Sequence, residues 1–148
     1  IPRLMVLANF ALIAGVLPRA IGDWFYGMYV DAVDWVTTPN TIGMGMHADH
    51  AVVGTKPYAA SGKYIKRMSN YCSSCRFDVS TRTGADACPF NVFYWDFLRR
   101  NRARLSENTR MAMGLKNLER IDDDEHQAIA ADARRLRREF GIGSVSGR

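Results

Sequence analysis

Cys72, Cys75 and Cys88 are the only cysteines in the chain, and they stand as Cys-x2-Cys-x12-Cys with Pro89 directly after the last. Two thiolates separated by two residues can grip one metal centre from a single turn, and a third arrives after a short loop. A structural zinc or a cubane iron–sulfur cluster takes four ligands, so one ligand must come from elsewhere. A histidine would complete a zinc site, and His47 and His50 lie upstream of the cysteines. A cluster would instead take a cysteine from outside this chain. Residues 56–71 read as an ordered segment with a purpose of its own, which favours the cluster. Cysteine followed by proline also closes ferredoxin-type ligand runs.

Aromatic rings form the second chemical group. Trp24, Phe25, Tyr26, Tyr29 and Trp35 crowd one stretch, and Tyr58, Tyr64 and Tyr71 follow. Core packing accounts for most of them, although indole and phenol rings also relay electrons. The segment KPYAASGKYIKR, residues 56–67, mixes cations, small residues and rings. A site that receives a base out of its stack needs ring surfaces, close backbone approach and phosphate-binding cations, and this segment suits nucleic-acid contact. The arginines near 99–104 and 134–138 read as solvated faces or complements to helix dipoles, some adding a diffuse attraction for phosphates. The chain contains no Gly-rich phosphate loop, no nucleophile elbow and no carboxylate pair at a convincing spacing.

The elements that position these groups read as helices throughout, an all-α chain. Residues 3–16 form a helix buried on all sides, closed by Gly15 and Pro18. Pro18 opens a second helix, in which Ile21, Trp24, Phe25, Met28, Ala32, Trp35 and Val36 recur at three- and four-residue steps as an apolar stripe. Thr37-Thr38-Pro39-Asn40 ends it, and residues 40–60 read as a functional loop. A short helix over 61–71 leads into the cysteines, and a polar loop spans 76–88. After Pro89 a helix carries Phe90, Phe93, Tyr94, Phe97 and Leu98 on one face, with Arg99, Arg100, Arg102 and Arg104 in its last turns. Another helix covers 107–118. The last begins at the acidic run Asp122-Asp123-Asp124-Glu125 and ends in arginines before Gly141, the order that a helix dipole favours.

With 148 residues, 47% of them apolar, the chain can bury a core of its own. Its net charge of +5 suits a polyanionic partner without requiring one. The odd cysteine count disfavours a secreted disulfide framework. The apolar start is too short to span a bilayer and is interrupted by Asn9, so no membrane association is expected. That abrupt start inside a helix also suggests the carboxy-terminal portion of a larger protein.

The strings KPYAASGKYIKRMSNYCSSCRFDV and DACPFNVFYWDFL, with LMVLANFALIAG and DAVDWVTTPNTIGM upstream in the same order and spacing, resemble the carboxy-terminal catalytic region of the iron–sulfur bacterial cryptochromes and photolyases, the prokaryotic (6-4) photolyase-like proteins. The resemblance covers about residues 1–120 and implies that residues 1–140 are part of a helical FAD-binding domain; the residues of the tail, 141–148, read as disordered. It also implies an amino-terminal antenna domain, with a chromophore of its own, that this chain lacks. Cys72, Cys75 and Cys88 would be three ligands of a [4Fe–4S] cluster whose fourth cysteine lies upstream of Ile1, as would a pair of active-site histidines.

By the same resemblance, Trp24 passes electrons to the photoexcited flavin, Asp31 lies in a flavin-contacting helix and Thr37 stands beside the isoalloxazine N5. Many relatives carry glutamate at that last place, so Thr37 is a departure. Tyr58 and Tyr64 match rings lining the lesion pocket. The implied activity is light-driven repair of pyrimidine photoproducts, of (6-4) type, in UV-damaged DNA by a monomeric protein of the bacterial cytoplasm, with this stretch inactive alone. A blue-light photoreceptor on the same scaffold is the second reading, and a zinc-binding nucleic-acid module the third.

Overall fold

The computed structural model describes residues 2–48 and 52–143. His50 and the tail from residue 144 onward, both named above, lie outside the described residues. All regular structure among the described residues is helical, and the only pairing between extended segments is an isolated bridge from Asp78 to Ala87. The chain divides into two compact units, one ending at Ala59 and one beginning at Ala60.

The first unit starts with α1, Pro2–Ala14. It ends where Gly15 takes a φ of 88°, a left-handed turn that glycine adopts without strain. The Val16 N–H then reaches back to the Ala11 carbonyl at 2.9 Å, and the Gly15 N–H to that of Leu12 at 3.2 Å. Ala8, Asn9, Ala11, Ile13 and Ala14 are buried, whereas Met5 is 45% exposed. These buried positions fall on all sides of the helix from Ala8 onward, and only Met5, near its start, is exposed among residues 5–14.

Helix α2, Pro18–Met28, stops earlier than its apolar spacing suggests. Tyr29 is extended, and a short α3, Asp34–Thr37, begins only after Val33. With the helix interrupted, the three- and four-residue spacing no longer defines one face. Phe25 is buried, but Trp24, Met28, Trp35 and Val36 are exposed. Side-chain hydrogen bonds tie the two sides of the break. The Tyr26 hydroxyl donates to Asp34 Oδ1 at 2.7 Å, and the Thr38 hydroxyl donates to the same oxygen at 2.6 Å.

The cluster around Pro39 does not end the helix. A π-helical segment, Thr38–Gly45, continues directly from α3. Proline brings no N–H to an α-helical ladder, and a wider turn absorbs the gap. The Met46 N–H bonds to the Thr41 carbonyl at 2.8 Å, and the Asn40 side-chain amide satisfies the Val36 carbonyl at 2.8 Å. Gly45 lets this segment lie against α1, since a Cβ there would meet the Ala8 Cβ at 2.8 Å.

The second unit contains α4, Gly62–Met68, a 3-10 turn at Tyr71–Ser73, and α5, Pro89–Arg100. Then follow α6, Arg102–Ser106, a 3-10 turn at Thr109–Met111, α7, Ala112–Leu118, and α8, Asp123–Glu139. The helix expected over 107–118 is therefore shorter, and Arg102 and Arg104 belong to α6 instead of the end of α5. Its core is α5 against α8. Val92, Phe93, Phe97 and Leu98 from α5 are buried, as are Ile129, Ala130, Ala133 and Leu136 from α8. Each large side chain closed off in this way contributes about 1.5–3 kcal/mol.

Helix α8 is capped at both ends. Asp122 accepts from the Glu125 N–H at 2.7 Å, which satisfies a donor at the helix start. At the other end Gly141, at φ 65°, lets the Ile142 N–H reach the Arg137 carbonyl at 2.8 Å. Gly141 and Ile142, read above as the start of a loose tail, thus close the helix.

Candidate functional site

The residues with chemical promise fall into both units. In the first, Trp24 lies in α2, 41% exposed, with its ring edge-on to Phe25 at 5.2 Å and to Tyr29 at 6.0 Å. Phe25 and Tyr29 stack at 5.4 Å, so the three rings are contiguous. Asp31 is exposed, in the turn between α2 and α3 and not within a helix as the sequence suggested. Thr37, the last residue of α3, is buried at 7% exposure. Tyr58 is exposed on an irregular segment.

Tyr26, Asp34 and Thr38 form a group that the sequence did not announce. The four-residue step from Asp34 to Thr38 is helical, but the eight-residue step from Tyr26 to Asp34 crosses the break after α2. The Thr38 hydroxyl and then the Tyr26 hydroxyl hold the Asp34 carboxyl below its ordinary value. The Tyr26 phenol moves up: Thr38 pulls it down, but its bond to Asp34, partial desolvation and the carboxylate's charge outweigh that pull.

In the second unit, Tyr64 is half-buried in α4, with Lys63, Lys66 and Arg67 exposed on the same helix. Cys72 lies half-buried in the 3-10 turn, Cys75 is exposed, and Cys88 is buried immediately before α5. Burial pushes the Cys88 thiol up, the Phe90 and Asn91 N–H groups pull it down, and the charges of Cys72 and Cys75 raise it further.

Among the described residues, no group of three His, Cys, Asp or Glu side chains converges on a single metal ion. A lone tetrahedral zinc would draw its sulfurs to about 3.8 Å of one another, given bonds of roughly 2.3 Å. A cubane takes each thiolate at a different iron and so accepts a wider spread. The donor set, three thiols, fits such a cluster. The structure also leaves room for the buried sulfur, because a Cβ at Gly62 would sit 2.8 Å from Cys88 Sγ.

The loop between Cys75 and Cys88 is held at several points. At its base the Asp78 N–H donates to the Asp86 carbonyl at 2.7 Å and the Cys88 N–H to the Asp78 carbonyl at 3.0 Å. Farther along, Arg82 meets both oxygens of Glu125 at 2.9 Å, and the Gly84 N–H meets Asp132 Oδ2 at 2.8 Å. Helix α8 thus clips the loop that carries the cysteines.

A flavin asks for aromatic surface, hydrogen-bonding groups and apolar walls. Trp24, Tyr29, Asp31 and Thr37 are of the right kinds, and the open apolar side chains Met28, Val33 and Trp35 lie on the same stretch. These residues fit such a cofactor in chemistry.

Asp96 was missed in the sequence. It is 1% exposed and accepts from Arg99 at 2.8 Å, Arg100 at 2.8 Å and Arg137 at 2.6 Å. These three arginines are thus engaged, not solvated faces as first read. Burial raises the Asp96 pKa, but the bonds from Arg137 and Arg99 and the charge of Arg100 hold it below the usual carboxylate value. The only local signal was the three- and four-residue spacing from Asp96 to Arg99 and Arg100; Arg137 lies far along the chain.

No family model matches the chain. It is 50% identical over 133 residues to a (6-4) photolyase of Agrobacterium fabrum (strain C58 / ATCC 33970), a match over 90% of this chain and 26% of that protein. It is 38% identical over 66 residues to an uncharacterized protein of Acanthamoeba polyphaga mimivirus, covering 45% of this chain and 54% of that one. The chain thus spans about a quarter and about half of these relatives' lengths. No helix among the described residues is long and apolar enough to cross a membrane. With half of the aligned residues shared across nine-tenths of its length, this all-helical chain matches a stretch of a (6-4) photolyase, which supports its place in the photolyase-like family.

Proposed function

We propose that this chain is part of a light-dependent DNA-repair enzyme that reverses UV pyrimidine photoproducts, of (6-4) type, using FAD and a [4Fe–4S] cluster. The observation that carries this reading is the 50% identity to a (6-4) photolyase across 90% of the chain. A reduced flavin supplies, when bound and illuminated, the electron that reverses the dimer bond.

The chain's own residues have separable tasks. Trp24, in contact with Phe25 and Tyr29, passes electrons inward to keep the flavin reduced. Asp31 and Thr37 hold and tune the cofactor. Tyr58 and Tyr64 offer ring surface to a damaged base out of its stack, an excursion made easier by the weakened stacking of a lesion. Lys63, Lys66 and Arg67, exposed along α4, attract the phosphates on either side. Cys72, Cys75 and Cys88 hold the cluster as structural support. The partner is UV-damaged DNA, met by a monomer in the bacterial cytoplasm.

Illumination of the full-length, reduced protein with an oligonucleotide carrying one (6-4) photoproduct tests the reading. Restoration of the two pyrimidines is the expected result. Flavin photoreduction without restoration overturns it in favour of a blue-light photoreceptor. Thr37 is the observation that favours this second reading, because a hydroxyl supplies neither the charge nor the acidic proton of a carboxylate.

A further inference from the structure

Gly62, Val79, Thr81 and Asn91 are tied together in the second unit, and the cysteines lie on the segments that they join. Asn91 is 3% exposed. Its Oδ1 accepts from the Gly62 N–H at 2.9 Å, and its Nδ2 donates to the Val79 carbonyl at 2.6 Å and the Thr81 carbonyl at 2.9 Å. Both amide donors and the amide oxygen are therefore engaged. The Asn91 backbone N–H also bonds to the Cys88 carbonyl at 2.8 Å. One side chain thus binds the start of α4, which leads to Cys72 and Cys75, to the loop from Cys75 to Cys88 and to the helix that Cys88 opens.

Gly62 makes this junction tight against the metal-binding sulfur. A Cβ at Gly62 would lie 2.8 Å from Cys88 Sγ, 3.1 Å from Val79 Cγ1 and 3.4 Å from Asn91 Oδ1. The Asn91–Gly62 hydrogen bond draws the start of α4 up to the Cys88 sulfur, and only glycine admits that approach.

We propose that Asn91 is the positioning residue of the three-cysteine site, fixing Cys88 relative to Cys72 and Cys75 with Gly62 as its required contact. The proposal rests on the cluster reading above. The chemistry admits few substitutes. Aspartate matches the shape of asparagine but cannot donate to the Val79 and Thr81 carbonyls and would set a charge against them. Alanine leaves those two carbonyls and the Gly62 N–H without their partner in a buried place.

The test uses the full-length protein and follows iron and acid-labile sulfide per chain, together with the rate at which a chelator removes iron. Groups that orient metal ligands typically change metal retention 10- to 100-fold when replaced. Asn91→Asp is therefore expected to release iron about 10- to 100-fold faster, and Asn91→Gln, which keeps the amide on a longer arm, by a smaller factor. Gly62→Ala, which leaves Asn91 in place, is expected to lose iron by displacing Cys88. Leu105→Ala, which opens a cavity at a buried side chain of α6, serves as the stability control and should release iron at the wild-type rate.

Unchanged iron release in Asn91→Asp and Gly62→Ala overturns the proposal, as does an equal acceleration in Leu105→Ala. If Asn91→Asp fails to fold, Gly62→Ala and Asn91→Gln decide between the same outcomes. Wild-type protein without iron or sulfide instead removes the cluster reading itself, a result distinguishable from either.

Discussion

The unit ending at Ala59 leaves Trp24, Met28, Val30, Val33 and Trp35 open to solvent, whereas the unit beginning at Ala60 closes Phe93, Phe97 and Leu98 into a core and buries Asp96 and Asn91 beside them. Apolar groups are uncommitted in the first, while polar groups are committed in the second. An open apolar surface of this kind is available for binding. A buried and satisfied polar knot instead fixes geometry, because a misplaced partner costs desolvation with no return. The residues proposed to hold a flavin belong to the region with spare surface, and the cysteines to the region whose backbone is pinned.

Replacing Asp96 with alanine should produce the largest effect in that contrast. Arg99, Arg100 and Arg137 would be left without their common partner, and breaking a buried pair of this kind costs about 3–5 kcal/mol. Urea unfolding monitored by circular dichroism checks the size. A loss below 1 kcal/mol would show that the knot is dispensable and the contrast superficial.

The same carboxylate predicts a pH dependence. The folded Asp96 pKa lies below its ordinary value, near 3.9 when unfolded. Its contribution is therefore present above that unfolded value and is lost as pH falls through the lower folded one. Asp96→Ala should flatten the fall in stability over this acid window, and a wild-type slope in the variant would refute the assignment.

Smaller effects separate local from tertiary contributions. Asp122→Ala removes the cap accepting from Glu125 and should cost about 1 kcal/mol, read as a lower urea midpoint at unchanged slope. Trp35→Ala, at a side chain 80% exposed, should change the stability of this chain by less than about 0.5 kcal/mol. A large loss there would mean that the face is already committed and would erase the difference between the units. In the full-length protein, Trp24→Phe should slow flavin photoreduction while leaving FAD bound, and an unchanged rate would remove Trp24 from the electron path.

Helix ends at Pro18, Gly15, Pro89, Asp122 and Gly141 were legible because each depends on a few neighbouring backbone groups and on residue types that suit them. The Cys-x2-Cys-x12-Cys spacing is also visible in the sequence, since it belongs to near neighbours, and the ligand role proposed from it rests on the chemistry of thiols. The break at 29–33 was not, because apolar spacing continued through it. Nor was the π-helical run through Pro39, since proline, read alone, marks a stop.

The sequence by itself determined the helical composition, the caps, the three thiols and the resemblance to photolyases. Tertiary structure decided which apolar residues are buried, which arginines are engaged by Asp96, and how Asn91 joins Gly62 to the loop before Cys88. Arg137 lies 41 residues from Asp96, and Gly62 lies 29 from Asn91. Local propensity carries no information across such separations; only the packing of α4, α5 and α8 brings these groups within hydrogen-bond reach.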